Sequence, residues 1–439
     1  MYIQTFLAFF ILNILIFNPI TSVLGDGLFE EKLPPASVGD REASLYTKIS
    51  PPVLTSESKE NAFFELKLFD AKTDQNIEHV SYFITITKDG ELLLRDLFHS
   101  HQGPLKLKID PQPAQFVTVY GSQEPFLGGW VSQTGDISVT GPILLEGGLY
   151  HFAIEIFGID NDRNIFTPET APRFDSYLSV GDIFKNDIVD SGNKYNLTII
   201  SYYDQIQNFT YDSPKKEFSW KMPFNWDLDR IKEQNIFVHE EVKIPKIFSA
   251  FGDSNAFNAT VNLKPVTGRS LAIDPFTEEN NLILHYLLNK ADLIKLAEAF
   301  QGKGIENMTF TLTPSEEKPI ETTKEIVADK GGILSKLEWP NQVISKQDNE
   351  LNLKFSDALT DSALNADVKY DITFYDQNDT QIIKKEDLVA KNATDSQVFN
   401  FPEKGIYRIE IDVKAINYPG VTSPDETRNG LSRGTVVVS

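Results

Sequence analysis

The chain contains Gly148-Leu149-Tyr150 directly before the alternating run 151–156, and it contains Gly405-Ile406-Tyr407 directly before the alternating run 408–413. A glycine and a tyrosine at this spacing before a period-two strand are typical of the corner of a β-sandwich. The glycine lets the backbone turn, and the tyrosine hydroxyl can bond back to it. The two stretches therefore predict that one sandwich unit occurs twice.

The match between the two copies extends upstream of both corners. Residues 70–74 match residues 357–361, and residues 80–85 match residues 368–373. From the second match to the corner tyrosine, the first copy is longer by 31 residues. We therefore predict an insertion in the first copy, and we place the segment 98–104 inside it.

These patterns predict an all-β protein, in which tandem Ig-like β-sandwich domains flank a mostly-β middle domain with one short helix. A helical stripe of apolar residues places that helix near 290–300. Polar and proline-containing breaks give the boundaries: a signal peptide or N-terminal anchor (1–25), a linker (26–50), an Ig-like sandwich with the insertion (51–185), the middle domain (190–330) and a second Ig-like sandwich (335–439).

The N-terminal segment predicts export. Residues 6–17 form an apolar run, and the small residues Ser22 and Gly25 follow where a signal peptidase could cut. No lysine or arginine precedes the run, so retention as an N-terminal anchor is the alternative and would be the chain's only contact with a membrane. We expect an extracellular or cell-surface location.

Composition excludes several classes of function. A net charge of −22 disfavours nucleic acid as a partner and favours cations or basic proteins. The absence of cysteine removes disulfides, thiolate nucleophiles and every cysteine-ligated metal site. Six Asn-x-Thr sequons predict a glycoprotein if the host glycosylates: Asn196, Asn208, Asn258, Asn307, Asn378 and Asn392.

Four strings of the sequence, at 148–156, 218–226, 238–246 and 432–438, resemble exported cell-surface proteins of ammonia-oxidising archaea (Thaumarchaeota, Nitrososphaeria). In many such proteins a similar ending runs into a Pro-Glu-Phe-Gly sorting signal and a membrane anchor. This sequence stops at Ser439, so the resemblance implies a secreted or N-terminally tethered form without the C-terminal anchor. It implies a lineage and a location, and it supplies no catalytic residues.

Two histidines separated by one residue suggest a metal site. On a strand, His99 and His101 would point to one face, within reach of a single ion. His151 is the third candidate ligand, because strands C and F of an Ig-like sandwich lie side by side. Three imidazoles would suit Cu(II) or Zn(II), with affinity falling below about pH 6.5 as the ligands protonate. The alternative is that His99 and His101 are exposed turn residues and His151 a half-buried strand residue.

Other motifs point away from catalysis. His239-Glu240-Glu241 resembles the start of a zinc-hydrolase motif, but Lys243 stands where the second histidine is required. The run instead alternates like an edge strand that ends at Pro245. Asp160-Asn161-Asp162 begins like a calcium loop but lacks the EF-hand spacing that should follow, so we interpret it as a solvated turn. We expect that the protein is not an enzyme.

The sequence thus predicts an exported, non-enzymatic cell-envelope protein that acts as a binding or structural module, with other envelope proteins or glycans as partners and no cofactor. The first alternative is a copper- or zinc-binding protein that uses His99, His101 and His151. The second is a carbohydrate-binding surface module in which aromatic side chains of the middle domain stack on sugars. Those side chains are Tyr202, Tyr203, Trp220, Phe224 and Trp226.

Overall fold

The computed structural model describes residues 28–439 except 56, 132–133, 253, 255, 276, 316–322, 329–331 and 359, and only the backbone of 58 and 323. The predicted export segment, 1–25, lies outside the described residues. The described chain is almost entirely β-structure, which confirms the predicted all-β class. No helix in this part of the chain is long and apolar enough to cross a bilayer.

The N-terminal part of the described chain is built from strands and one 3₁₀ turn (Ser58–Asn61). The strands are β1 (Glu30–Lys32), β2 (Ala36–Val38), β3 (Arg41–Ser50), β4 (Val53–Leu54), β5 (Phe63–Asp70), β6 (Val80–Lys88), β7 (Glu91–Ser100), β8 (Leu105–Pro111), β9 (Thr118–Tyr120), β10 (Ser122–Gln123), β11 (Trp130–Val131), β12 (Asp136–Gly141), β13 (Gly148–Gly158) and β14 (Arg173–Asp190). One sheet contains the order β3-β5-β8 and the facing sheet contains β7-β6-β13-β14. This is the arrangement of an Ig-like sandwich.

The middle part has strands and three α-helices, with a second 3₁₀ turn (Gly268–Ser270). The elements are β15 (Asn193–Ser201), β16 (Gln207–Asp212), β17 (Glu217–Pro223), α1 (Leu228–Glu233), β18 (Val238–Pro245), α2 (Ser249–Gly252), β19 (Phe257–Val261), β20 (Lys264–Val266), β21 (Leu271–Asp274), β22 (Asn281–Leu288), α3 (Lys290–Phe300) and β23 (Asn307–Pro314). The predicted helix is α3, whose first turn is closed by a capping box between Asn289 and Asp292.

The C-terminal part repeats the first sandwich. Its strands are β24 (Thr323–Val327), β25 (Ile333–Glu338), β26 (Asp348–Asp357), β27 (Asp367–Tyr375), β28 (Gln381–Ala390), β29 (Thr394–Asn400), β30 (Gly405–Asn417) and β31 (Gly430–Val438). One sheet has the order β24-β25-β26-β29 and the other β28-β27-β30-β31. Strands β25 to β31 therefore correspond one by one to β3, β5, β6, β7, β8, β13 and β14.

The corner tyrosines occupy equivalent places in the two copies. Tyr150 donates its hydroxyl to the carbonyl of Glu146 at 2.6 Å, and Tyr407 donates to the carbonyl of Glu403 at 2.9 Å. Each tyrosine is buried and lies two residues into a strand that pairs on both sides, β13 or β30. Gly148 opens β13 with a φ of +133°, which a residue with a Cβ rarely adopts. The duplication read from the sequence is thus a duplication of structure.

The aspartate loops match as closely as the corners. Asp70 accepts from the backbone N–H of Thr73, and Asp357 accepts from the backbone N–H of Thr360. The residue that closes each loop has a left-handed backbone, with φ of +57° at Asp74 and +58° at Asp361. Each aspartate bonds its own loop locally, and this local bonding explains why the spacing survives in both copies.

Two sequence-based expectations about the N-terminal part differ from the structure. Residues 28–50, expected as a linker, contain β1 to β3, because Ala43, Leu45 and Ile49 alternate inward along a strand that pairs with β5. The extra residues of the first copy are 112–147, between β8 and β13, whereas only residues 401–404 separate β29 from β30. The segment 98–104 precedes this insertion, because a difference in length does not say where along the chain the extra residues enter.

No break in the sheet marks the expected boundary at 185–195. Strand β14 pairs with β13 along its first half and with β15 along its second half, so the sheet of the first sandwich continues through β15, β18, β22 and β21. The second sheet of the middle part has the order β16-β17-β23-β19-β20. The core between these two sheets is rich in aromatic residues, with Trp220 stacked on Phe310 and edge-on to Tyr286.

A buried ion cluster joins the two sandwiches. Arg428, in the connection between β30 and β31, contacts Glu31 of β1 at 3.0 Å and Asp357 at 2.6 Å. Beside it, Lys32 Nζ donates to Ser423 Oγ at 2.7 Å. Separating a buried arginine from its carboxylates would leave buried charges without compensation, so this contact constrains how the first copy meets the second.

The corner bond yields a stability prediction. Tyr407→Phe removes the hydroxyl of a buried side chain and its hydrogen bond to the carbonyl of Glu403, so we expect the free energy of unfolding to fall by about 1 kcal/mol. Denaturant unfolding followed by tryptophan fluorescence measures the change, because Trp339 lies in the same core. Tyr375→Phe is the control for a half-exposed tyrosine on β27 and should leave the midpoint unchanged. An equal midpoint for all three proteins would contradict the role of the corner.

Candidate metal site

The candidate site begins at the end of β7. His99 is 2% exposed and lies opposite Ser81 of β6 in the antiparallel ladder. The distance between Ser81 Oγ and His99 Nδ1 is 2.9 Å, so this hydrogen bond occupies Nδ1. The free ring nitrogen, Nε2, therefore faces the turn that follows β7. On the other edge of β7, Val131 of the insertion pairs with His99 and covers it.

Two further histidines lie beside His99 Nε2. The Nδ1 atom of His101 is 3.3 Å from it, in the turn after β7. His79 directly precedes β6, and its Nδ1 atom lies 3.4 Å from that of His101. The backbone N–H of His79 donates to the carbonyl of His101 at 3.0 Å, which continues the ladder beyond the strands. The φ of His79 is +51°, a conformation that is uncommon outside glycine and that concentrates at functional sites.

The fourth member is a carboxylate from the connection between β13 and β14. Asp162 Oδ1 lies 2.7 Å from His79 Nδ1, 3.4 Å from His99 Nε2 and 3.9 Å from His101 Nδ1. The connection is held in place by the backbone N–H of Asp160, which donates to the carbonyl of Glu78 at 2.8 Å. The four donor atoms lie within 4.8 Å of one another.

The charges of the cluster favour a cation. The hydrogen bond from His79 holds the pKa of Asp162 below its ordinary value, so this group is an anion at neutral pH. Burial lowers the pKa of His99, and the imidazole of His101 acts in the same direction, so His99 is neutral and has a free lone pair. One anionic oxygen and neutral imidazole nitrogens are donors that bind Cu(II) and Zn(II).

The second copy has an ion pair at the same positions. In β6 and β7, Val80 pairs with Ser100, and in β27 and β28 Val368 pairs with Ala390. The residues just outside these pairs are His79 and His101 in the first copy, and Asp367 and Lys391 in the second. Lys391 Nζ binds Asp367 Oδ2 at 2.6 Å. The histidines therefore belong to the first copy alone and are not required by the shared fold.

The third predicted ligand, His151, lies elsewhere. It pairs with Thr87 on β6, whereas His99 pairs with Ser81, and six residues of strand separate these positions by about 20 Å. His151 Nε2 contacts Asp175 Oδ1 at 2.8 Å, and its ring stacks on Tyr177. Strands β6 and β13 are antiparallel, so the start of β13 lies beside the end of β6. His151, at the start of β13, therefore cannot reach His99.

Two residues of the cluster were missed from the sequence. His79 is adjacent to β6, and Asp162 follows the end of β13, which lies beside the start of β6 because Gly158 pairs with Ser81. The antiparallel register of β6 with β7 and β13 was the signal that could have found both. We interpreted Asp162 as part of a solvated turn. That interpretation accounts for its exposure but not for the three histidines beside it.

The aromatic residues considered for sugar stacking form core instead. Tyr202, Tyr203, Trp220 and Phe224 are all at most 3% exposed. Trp226 is half-buried and packs against Phe224 and Phe300. Buried rings cannot stack on a sugar, so this group is not a carbohydrate platform. Of the five residues only Trp220 lies within a strand, β17, and the others follow the ends of β15 and β17. The sequence pattern does not tell which of these side chains are covered.

The segment 239–241 was expected on an edge strand, but β18 pairs on both sides, with β15 and β22. Its polar side chains are buried. His239 Nε2 lies 3.2 Å from His285 Nδ1, and Glu240 accepts from Ser201 Oγ at 2.7 Å. The distance between Glu241 and Lys243 Nζ is 3.0 Å. The run reads like an edge strand because its polarity alternates, but that alternation does not reveal the neighbouring strands β15 and β22 or the ring of Tyr202, which stacks on His239.

Comparisons with known proteins leave the chain without a family. No protein-family model matches it, and no curated protein matches it. Among solved structures, a mutant Salmonella alpha-2-macroglobulin (TM-score 0.20, 7% identity), the E. coli alpha-2-macroglobulin (TM-score 0.19, 6% identity) and a polysaccharide lyase (TM-score 0.17, 8% identity) are similar. Each match covers 92% of this chain but 33%, 35% and 47% of the other. The chain thus spans less than half of their length, and TM-scores this low carry no argument.

Burial raises the pKa of Glu240 well above its usual value, which yields a prediction about pH. The folded chain holds this proton more tightly than the unfolded chain, so the stability that it contributes is complete below the ordinary pKa and is lost as pH rises above it. We expect Glu240→Gln to become more stable than the wild type as pH increases from about 4 to about 8.

Denaturation midpoints of both proteins across this pH range measure the effect. Glu241→Gln is the matched control, since it removes the contact with Lys243 and should lower stability at neutral pH. A constant difference in midpoint between wild type and Glu240→Gln at every pH would contradict the prediction.

Proposed function

We propose that the chain is an exported, non-enzymatic binding protein of the cell envelope, and that its ligand is a copper or zinc ion held by His79, His99, His101 and Asp162. The observation that carries the proposal is the spacing of four donor atoms from three separate segments within 4.8 Å. A metal bound at about 2.0 to 2.2 Å from each donor requires donors about 3 to 4 Å apart. Five of the six separations between these atoms lie between 2.7 and 3.9 Å.

A binding role suits this donor set better than catalysis. In catalytic zinc sites three protein ligands leave one position open, whereas structural sites fill all four positions with protein atoms. Here four protein donors converge. His79, His101 and Asp162 have side chains that are 33%, 44% and 36% exposed, so an ion can enter from solvent. The net charge of −22 attracts cations to the molecule.

Export, an envelope location and glycosylation belong to the same proposal. The apolar segment 6–17 supports export, and it is the candidate for any attachment to a membrane. Of the six sequons, Asn307 is half-buried and the other five are exposed, as an acceptor for a glycan must be. The partners that we propose are other envelope proteins or their glycans.

A structural role in the envelope is the second candidate, and one observation favours it. The buried cluster of Arg428, Glu31 and Asp357 joins the ends of the described chain into one packed body. Thr422 adds a hydrogen bond from its backbone N–H to the carbonyl of Ala71 at 3.1 Å. Such a body suits a load-bearing surface protein, and it is compatible with metal binding.

Calorimetric titration with Zn(II) and Cu(II) tests the metal proposal. We expect one equivalent to bind the wild type, and the double variant His79→Ala/His101→Ala to lose affinity by about 100-fold or more. These two side chains are partly exposed, so the variant keeps its fold. Bound metal should also stabilise the folded protein. At a metal concentration a hundredfold above Kd, the free energy of unfolding should rise by about 2.7 kcal/mol, and the unfolding midpoint should rise with it.

His151→Ala is the matched control, because it removes an imidazole that lies at the far end of β6. It should bind metal as the wild type does. Weak and equal binding by wild type and the double variant would overturn the metal proposal and leave the structural role.

A further inference from the structure

We infer that the cluster is arranged for an ion that prefers four donors near one plane, which points to Cu(II), and that Ser81 is the residue that positions His99 for it. The inference rests on the proposed function and deepens it, because metal binding alone does not fix the geometry of the site.

The donor atoms form a ring rather than a regular tetrahedron. Around the ring, the distance is 3.3 Å from His99 to His101, 3.4 Å from His101 to His79, 2.7 Å from His79 to Asp162 and 3.4 Å from Asp162 to His99. Across the ring, Asp162 Oδ1 and His101 Nδ1 are 3.9 Å apart. The other pair across the ring is His79 and His99, whose ring centroids are 6.1 Å apart, farther than those of the other two histidine pairs.

A tetrahedral ion would require six equal separations of about 3.3 Å between its donors. A square-planar ion would require four short edges of about 2.9 Å and two diagonals of about 4 Å. The cluster has four short edges and two longer diagonals, so its geometry is closer to a square plane than to a tetrahedron. Square-planar or tetragonal nitrogen and oxygen donors select Cu(II) or Ni(II), and Cu(II) binds more tightly.

The ladder holds three corners of the ring. His79 and His101 flank the paired ends of β6 and β7, and their backbones are hydrogen-bonded to each other. His99 lies inside the ladder with its Nδ1 bound to Ser81 Oγ, so only Nε2 is left for the metal. Asp162 comes from the connection between β13 and β14, which the backbone hydrogen bond from Asp160 to Glu78 holds beside the histidines. The buried His99 and the bonded backbones of His79 and His101 oppose a rearrangement toward a tetrahedron when an ion binds.

Ser81 acts through His99 and touches no metal. Partners that fix the tautomer of a ligating histidine change metal affinity by about 10- to 100-fold when they are removed. Glu124 of the insertion adds negative charge near His99, and the backbone N–H groups of Phe126 and Leu127 donate to its carboxylate. The second copy has no such insertion, and Lys369 stands at the position of Ser81, so both outer partners occur only beside the histidines.

The test uses the full chain with Cu(II) and with Co(II). We expect the Cu(II) form to give an axial electron paramagnetic resonance spectrum with hyperfine splitting from three nitrogens. We expect the Co(II) form to lack the intense visible bands of tetrahedral cobalt. Ser81→Ala should change the Cu(II) spectrum and weaken Cu(II) binding by about tenfold or more, while Ser81→Thr, which keeps a hydroxyl, should restore both. Thr87→Ala, on the same strand beside His151, is the matched control and should behave as the wild type.

The possible failures are distinguishable. Intense tetrahedral bands from bound Co(II) would overturn the planar geometry and leave the proposed metal-binding function in place. A Ser81→Ala protein with the wild-type spectrum and affinity would overturn the positioning role of Ser81. If neither Cu(II) nor Zn(II) nor Co(II) binds the chain, the inference and the proposed function fall together.

Discussion

The antiparallel ladder that β6 makes with β7 on one side and β13 on the other is the constraint on which both the fold and the candidate site depend. Antiparallel pairing brings the start of β6 beside the end of β7 and the end of β13. Residues far apart in sequence, His79, His99 and Asp162, therefore meet at one end of the sandwich. The same pairing sends His151 to the opposite end. A shift of register by one residue would turn His99 to the other face of its strand and dismantle the cluster.

The two copies use one connection for different purposes. In the first copy, the connection between β13 and β14 holds Asp162 beside the histidines. In the second copy, the corresponding connection between β30 and β31 carries Arg428, which binds Glu31 in β1 and Asp357 in its own sandwich. The first connection brings a carboxylate to imidazoles of its own sandwich, and the second brings a guanidinium to a carboxylate of the other sandwich. The framework of strands is shared, and the connections carry the differences.

Much of the fold could be predicted from the sequence, because local chemistry fixes it. The glycine and tyrosine at Gly148 and Tyr150 specify a corner by themselves, and the capping box at Asn289 specifies a helix start. The edge assignment of the strand at 239 was wrong because pairing on the second edge depends on β22, which lies far along the chain. The linker assigned to 26–50 was wrong because two prolines outweighed the period-two pattern that follows them.

Half of the candidate site was predictable for the same reason. The spacing of His99 and His101 is local, whereas the contributions of His79 and Asp162 depend on which strand ends meet. The second copy then separates what folding requires from what it does not. At the positions of His79 and His101 it has Asp367 and Lys391, whose ion pair closes the same strand ends. Since the second copy pairs the same strand ends without any histidine, the shared fold does not account for clustered imidazoles around a buried His99, and a bound cation would.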